Sequence, residues 1–367
     1  MKTDERLKLS DFSERCEKLL RDLLGRVPSL KLVSLVREKI IPADASVNAD
    51  RLAHVKSGNR CWTLVVEEKR LGQPREVRSA VLQLQSRLKE LPGSTSRYGL
   101  LLAPFISEES AKICKEAGIG YADLAGNARL AFDTVYIETR AAGNPFHEKK
   151  EVRSIFAPRA ARVLRVLLLG PLRAWKVTEL AKAAQVSLGW VSALRQQLLA
   201  REWVEEATGG LMVTKPGAVL DAWVRADDWE KRNQTQEYSV LLTDPEAVAE
   251  KLKSTLGDQP PVFTQWFAGW LRHPHTTPVV VTAYVKAFPD ETLIRDKLLG
   301  RRVSGGGGGL KLVVPKDEGV LHPSQTVRGF DLVSDVQIYL DLQQAGLRGE
   351  EQAAELRRWP DFAGGWS

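Results

Sequence analysis

Cysteine is scarce in this chain. Three are spread over 367 residues, Cys16, Cys61 and Cys114, with no CxxC pair and an odd count. That pattern argues against a disulfide framework and against a zinc site of ordinary ligand spacing. Histidine is scarce as well, with five residues, and the pair flanking Pro274, His273 and His275, has no acid or cysteine beside it. A histidine-based metal site is therefore not expected. Long apolar runs are also missing: no stretch approaches the roughly 18 uncharged residues of a membrane span. The opening MKTDERLKLSDF has no apolar segment of the signal-peptide kind. The cytoplasm is the expected location, with no membrane partner. No Ser-His-Asp or nucleophilic-cysteine arrangement is evident.

What is present is enough apolar sequence for packed cores, 43% of residues against 27% charged. Single cores stop growing at roughly 250 residues, so two or three domains are expected. The net charge of +7 is unevenly placed: +6 over residues 1–150, +5 over 151–220 and −4 over the remainder. Between Arg153 and Arg201 there are nine basic residues and a single acid, Glu179. Such a block reads as a polyanion-binding face or as a solvated helix face, and charge alone does not choose between them.

Apolar residues at helical spacing (Phe12, Cys16, Leu19, Leu20, Leu23) predict an amphipathic helix over Asp11–Leu24. A β-rich run, Cys61–Lys69, ends in charge, and Gly72-Gln73-Pro74 breaks the chain before a second helical pattern in Val77, Val81, Leu84 and Leu88. The strand-like Tyr98–Phe105, a short helix through Ser107–Ala117 and the β-like pieces ARLAF and TVYIET complete an α/β domain that ends near Ala142. The polar run Ala141–Ser154 reads as a linker. A second polar run, Arg225–Glu237, separates a helical middle from a C-terminal α+β segment. The expected architecture is therefore multidomain, α/β and α+β: residues 1–145, 155–224 and 236–367.

The middle segment carries a spacing argument. KVTELAKAAQVSLGWVSALRQQLLAREWV places Leu180 and Ala181 on one helix, Val186 in a turn, and Val191, Leu194 and Leu198 on a second helix, with small Ala184 allowing close approach. Ser187 is placed to cap the second helix. Its outward face then holds Ser187, Gly189, Trp190, Ser192, Ala193 and Gln196, a mostly small and polar set able to approach base edges in the major groove. Trp203-Val204, the turn Thr208-Gly209-Gly210 and Leu211–Thr214 read as a two-stranded wing, and Lys215 stands where a wing touches phosphate. Upstream, Ala160–Leu169 supplies a supporting helix with Arg159, Arg162 and Arg165 as candidates for contact with the DNA backbone. A helical pair used only for packing or dimerisation is the other reading.

This segment resembles the winged helix-turn-helix domains of bacterial transcriptional regulators. With its ending DLVSDVQIYLDLQQAGLRGEEQAAELR, the chain further resembles AbiEi-type antitoxins and related regulators of toxin-antitoxin systems. The resemblance implies repression of an operon through the winged domain, with no cofactor. A two-fold operator implies a homodimer, and a cognate toxin is the protein partner it suggests.

In the first domain Asp50, Glu67 and Lys69 stand as D-x16-E-x-K, the E-x-K closing an apolar strand. Alternation along a strand points Glu67 and Lys69 to one face and Glu68 to the other. Two carboxylates can hold Mg²⁺ through oxygen ligands while a lysine orients water or steadies phosphoryl charge, and Gln83 can add a polar contact. The arrangement resembles the PD-(D/E)xK restriction-endonuclease-like fold over roughly residues 10–140. That resemblance implies Asp50 and Glu67 as metal ligands and Lys69 as the catalytic lysine of a metal-dependent DNA endonuclease. Ala49 stands where the family has proline before the aspartate. Glu14 or Glu17 is a candidate for a further acid.

Other features are read as structural. Asp123 and Asn127 lie in the small-residue piece Gly118–Phe132, as a tight turn requires. Gly305–Gly309 precede a strand rather than a helix and so do not form a phosphate cradle. Trp266, Phe267 and Trp270 are expected in a core or interface.

Overall fold

The structure, a computed structural model, describes residues 9–37, 50–91, 95–141, 155–170, 173–298, 300–304 and 308–366. The expected linker Ala141–Ser154 lies outside the described residues apart from Ala141, as do three of the five consecutive glycines, 305–307. The chain forms two compact units, one of Met1–Glu148 with Ala200–Glu202 and one of Lys149–Leu199 with Trp203–Ser367. Both mix helices with sheet, in keeping with the expected α/β and α+β class. No helix among the described residues is long and apolar enough to cross a membrane.

In the first unit the helical spacing of apolar residues gives α1 (Leu9–Gly25), which buries Phe12, Cys16, Leu20, Leu23 and Leu24. One sheet follows, its strands in chain order: β1 (Leu30–Arg37), β2 (Arg51–Ser57), β3 (Arg60–Glu68), β4 (Ser96–Ala103), β5 (Gly120–Asp123), β6 (Ala128–Phe132) and β7 (Val135–Thr139). Strands β1 to β3 are antiparallel. The β3–β4 and β4–β5 pairs are parallel, because α2 (Pro74–Glu90) and α3 (Glu108–Glu116) return the chain between them. Pro74 opens α2, where a missing N–H costs no helical bond.

The sheet is buried on both faces. Leu64, Val66, Leu100 and Leu102 pack with α1, whereas Val65 and Leu101 pack with Val77 and Leu84 of α2 and Ile113 of α3. Carried to the end of β3, the same alternation sends Glu67 toward α2 and Glu68 toward α1. Cys16 and Cys114 are buried free thiols, each pushed up to about 12 by burial, and Cys61 is exposed.

The second unit opens with three helices, α4 (Pro158–Leu168), α5 (Val177–Ala183) and α6 (Leu188–Ala200), and the antiparallel ribbon β8 (Val204–Ala207) and β9 (Gly210–Val213). Trp175 and Leu211 exchange two backbone hydrogen bonds of 2.8 Å, adding a third short rung to the ribbon. Gly210 permits this: a Cβ there would stand 2.1 Å from the Trp175 carbonyl oxygen. After α7 (Pro216–Ala226) and α8 (Trp229–Arg232) comes a mixed sheet whose outer strands are β13 (Gly300–Val303) at one edge and β16 (Phe330–Val333) with β15 (Ser324–Val327) at the other, in the order β13-β10-β14-β12-β11-β16-β15. Its central members are β10 (Asn233–Val240), β14 (Leu310–Pro315), β12 (Val281–Tyr284) and β11 (Val262–Thr264). Helices α9 (Pro245–Leu256), α10 (Gln265–Arg272), α11 (Glu291–Leu298), α12 (Asp335–Leu342) and α13 (Leu347–Arg358) complete it.

The three helices and the sheet share one core. Leu164, Leu167, Leu194 and Leu198 belong to the same buried cluster as Phe263, Phe267, Leu312 and Ile338. Segments 155–224 and 236–367, expected as separate domains, thus fold as one unit. The polar stretch Arg225–Glu237 reads as a boundary only by composition: it forms α8 and the start of β10, and its Asp227 and Arg232 are paired inward. Arg232 Nη2 also meets Asp341 Oδ1 at 2.6 Å, and Gln337 Nε2 donates to the same oxygen at 2.7 Å. Oδ2 of this fully buried carboxylate accepts from Tyr284 and Thr264. Burial works against the Arg232 charge, but Tyr284, Asp341 and Asp227 outweigh it and raise its pKa.

A shared core makes a prediction about unfolding. Leu194→Ala in α6 and Phe267→Ala in α10 are each expected to cost roughly 2–5 kcal/mol and to lower the same urea transition. Two transitions that shift separately, one per substitution, would show that the core is not shared.

Candidate functional site

The turn between α5 and α6 is built from local bonds: Ala184 N–H donates to Leu180 O, and Val186 N–H to Ala181 O at 3.0 Å. Gln185 takes the left-handed φ of 55° that the tight reversal needs. The Ser187 carbonyl accepts from Trp190 and Val191 N–H, which starts α6 at the expected residue. Val191, Leu194 and Leu198 are buried, and Leu180, Ala181 and Ala184 are buried opposite them. Ser187, Gly189, Trp190, Ser192, Ala193 and Gln196 are all exposed. The face carries no carboxylate. Leu188, half exposed at 51%, also lies on it, a residue that apolar patterning assigns to a core rather than to a surface.

The expected backbone-contacting arginines divide three ways. Arg159 is exposed, its guanidinium 5.8 Å from the centre of the Trp190 ring. Arg162 is half-buried and forms a two-pronged ion pair with Asp317. Gly319 makes room for it, since a Cβ at that position would stand 2.2 Å from Arg162 Nε. Arg165 is not available to DNA: it is 2% exposed, donates to Gln337 Oε1 at 3.3 Å and lies 5.9 Å from the Trp223 ring. Burial lowers its pKa to about 10. One turn of helix separates Arg162 from Arg165, and α4 is enclosed on that side by the sheet-bearing part of the unit, which sequence spacing does not reveal. Arg195 of α6 is tied to Glu206 of β8 at 2.5 Å. Lys215, half-buried, stands at the start of α7. Lys182 of α5 is exposed near the same face, and the sequence motif does not single it out.

In the first unit Asp50 precedes β2, its N–H bonded to Val66 O at 3.1 Å and its Oδ2 accepting from Glu68 N–H at 2.7 Å. Glu67 is 7% exposed and pairs with Lys69 Nζ at 2.7 Å. Lys69 Nζ also donates to Gln83 Oε1 at 2.9 Å, so Glu67, Lys69 and Gln83 form one connected file. Burial raises the Glu67 pKa, the Lys69 bond opposes this, and the charge of Asp50 adds to the rise. Asp50 therefore acts on Glu67 through its charge.

Glu17, a candidate third acid, points elsewhere. It pairs with Arg51 at 2.8 Å and with Arg21, and Arg51 in turn holds Glu68 at 2.6 Å. The Arg21 hydrogen bond lowers its pKa. Glu14 is exposed on α1. Among the described residues no group of three or more His, Cys, Asp or Glu is arranged to hold a metal ion. Two carboxylates beside a lysine fit a cation that keeps several waters and takes further oxygens from a phosphate, as Mg²⁺ does.

Residues read as structural have packing or hydrogen-bonding roles. Buried Asp123 accepts four hydrogen bonds, from Ile106, Ala125 and Asn127 N–H and from Asn127 Nδ2. Phe267 is fully buried, Trp266 and Trp270 pack against the core, and His273 stacks on Trp359 at 5.8 Å. In comparisons with protein-family models, curated proteins and solved structures, none matches the chain.

The raised pKa of Glu67 has a pH signature. A carboxyl whose folded pKa lies above its unfolded value supports the fold at low pH, and that support is lost as pH rises through the folded pKa. Glu67→Gln is therefore expected to melt higher than the native chain at pH 8, the difference closing as the pH falls through the raised folded pKa toward about 4, the ordinary glutamate range. Calorimetry across that range checks it. A lower Tm at pH 8 would show that the Lys69 pair outweighs burial.

Proposed function

We propose that this chain is a duplex-DNA-binding regulator whose segment α4–α6 with ribbon β8–β9 acts as a winged helix-turn-helix, α6 entering the major groove. The observation that carries this reading is the two-sided character of α6. Val191, Leu194 and Leu198 are buried, while Ser187, Gly189, Ser192, Ala193 and Gln196, with Leu188 and Trp190 at its start, form an exposed, acid-free face of mostly small or polar side chains. Small residues let a helix backbone approach base edges, and Gln196 has the donor and acceptor pair that matches adenine. Arg159 and Lys182 flank that face with positive charge. The resemblance to antitoxin-type repressors gives the biological form of the proposal: an operator-binding repressor, dimeric on a two-fold site, with a toxin protein as the partner the resemblance suggests.

Replacing Ser192 and Gln196 together with alanine is expected to weaken binding to the selected site over random duplex by roughly tenfold to a hundredfold, the 1–3 kcal/mol of a lost bidentate contact. Site selection from random duplexes followed by titration at fixed salt measures it. An unchanged specificity ratio would remove α6 from the groove.

A second reading rests on a different observation, the connected file Glu67–Lys69–Gln83 with Asp50 acting on Glu67. In it the first unit is a metal-dependent endonuclease: Asp50 and Glu67 would hold Mg²⁺, and the metal would supply charge stabilisation at the scissile phosphate. Lys69, held by Glu67 and Gln83, would be aimed at phosphate oxygens. Duplex, branched and single-stranded DNA incubated with Mg²⁺ or Mn²⁺ should then be cut by the native chain and at least a hundredfold more slowly by Lys69→Ala. Equal or absent cleavage by both leaves the first unit without nuclease activity.

A further inference from the structure

Beside the exposed face of α6 the second unit has an open cleft of about 750 Å³. One wall is the start of α4 with Arg159 and Arg162; the other sides are Lys182, Gln185 and Ser187 around the helical turn, and Lys316 with Asp317 from the segment after β14. Four cations thus face one carboxylate, and Arg162 holds that carboxylate in a two-pronged pair. Among the described residues, Arg159, Lys182 and Lys316 have no acid partner. Lys316 is exposed, and its ammonium donates to the carbonyl of Lys231 at 2.5 Å. Burial works against charge on Asp317, yet the Arg162 bond prevails and lowers its pKa. The cleft is therefore strongly positive at neutral pH.

Three features select the ligand. Ser187 and Trp190 belong both to the cleft and to the exposed face of α6, so whatever lies along α6 continues into the cleft. The Trp190 ring is approached by the Arg159 guanidinium at 5.8 Å, a cation–π contact that holds this positive charge beside the start of α6. Pro158, Ala181 and Val186 supply apolar wall between the cations, as the sugar faces of a nucleic-acid backbone require.

We infer that this cleft takes the sugar–phosphate backbone of duplex DNA beside the groove that α6 occupies, so that Lys316, 120 residues beyond Gln196 in the chain, is a DNA contact. The inference rests on the proposal that α6 binds duplex DNA. It adds that the sheet-bearing part of the unit contributes to the DNA interface through Lys316. A phosphate contact is not sequence-selective, so its loss weakens all duplexes alike and removes one released counterion from the salt dependence.

The test is titration of the full-length protein and its Lys316→Ala and Lys316→Arg variants with a random-sequence duplex and with a selected site, by fluorescence anisotropy at several salt concentrations. Lys316→Ala should weaken both duplexes by the same factor and flatten the slope of log K against log salt by about 0.9, the value of one phosphate contact. Lys316→Arg should restore the slope. The triple variant Arg159→Ala, Lys182→Ala, Lys316→Ala should flatten it by roughly 2.7, three times as much. Arg162 is left in place, because its removal would strand Asp317. An unchanged slope in Lys316→Ala while the native chain binds duplex overturns the inference and leaves the proposed function standing. Saturable binding of adenosine monophosphate that depends on Lys316, with duplex binding unaltered by Lys316→Ala, would make the cleft a small-ligand site and also overturn it. Failure of the native chain to bind any duplex removes both.

Discussion

Asp341 is a carboxylate with no exposure to solvent, and the second unit is arranged around it. An ionised carboxylate in such a place needs partners for both oxygens, and Arg232, Gln337, Tyr284 and Thr264 provide them. These four come from α8–β10, α12, β12 and β11, so one buried charge ties together elements spread over more than a hundred residues of chain. Gln337 passes the connection on to Arg165 of α4. Removing any one member would leave a neighbour unpaired in a low-dielectric interior, which fixes how the helices lie on the sheet. The C-terminal segment DVQIYLDL supplies two of these residues, Gln337 and Asp341. Their place in the structure is inside the fold, not at a binding surface.

That attachment decides what the outer side of α4 presents. With Arg165 turned inward and Arg162 held by Asp317, only Arg159 of the three arginines is left at the surface, and it stands next to Trp190 at the start of α6. The positive charge available for a polyanion is then gathered from three separate elements, α4, α5 and the segment after β14. The basic block seen in the sequence is thus partly structural charge, and part of the cationic surface beside α6 comes from a residue outside the block.

The first unit follows a different rule. Strand alternation at the end of β3 separates two adjacent glutamates onto opposite faces with opposite roles. Glu68 is locked by Ser13 and Arg51 under α1. Glu67 is buried beside Lys69 with its pKa raised, a state that stores electrostatic cost at one point of an otherwise apolar sheet. Structural ion pairs also perturb pKa values, and the Lys69–Gln83 bond accompanies Glu67 in either role.

Local pattern alone determined a good deal of this protein. Period-3.6 spacing placed α1, α2, α5 and α6, period-two alternation separated Glu67 from Glu68, and the Gly209-Gly210 pair placed the ribbon turn, because each of these depends on residues within one or two turns of chain. The exposed face of α6 was legible for the same reason: its buried side, Val191, Leu194 and Leu198, defines the other side by geometry. Which charges face water was not legible. Arg165, Asp227 and Arg232 carry ordinary surface side chains, and only partners far away in sequence, Gln337, Asp341 and Tyr284, draw them inside. The same long-range packing merged two expected domains into one core and brought Lys316 beside Ser187, a neighbourhood that no local spacing encodes.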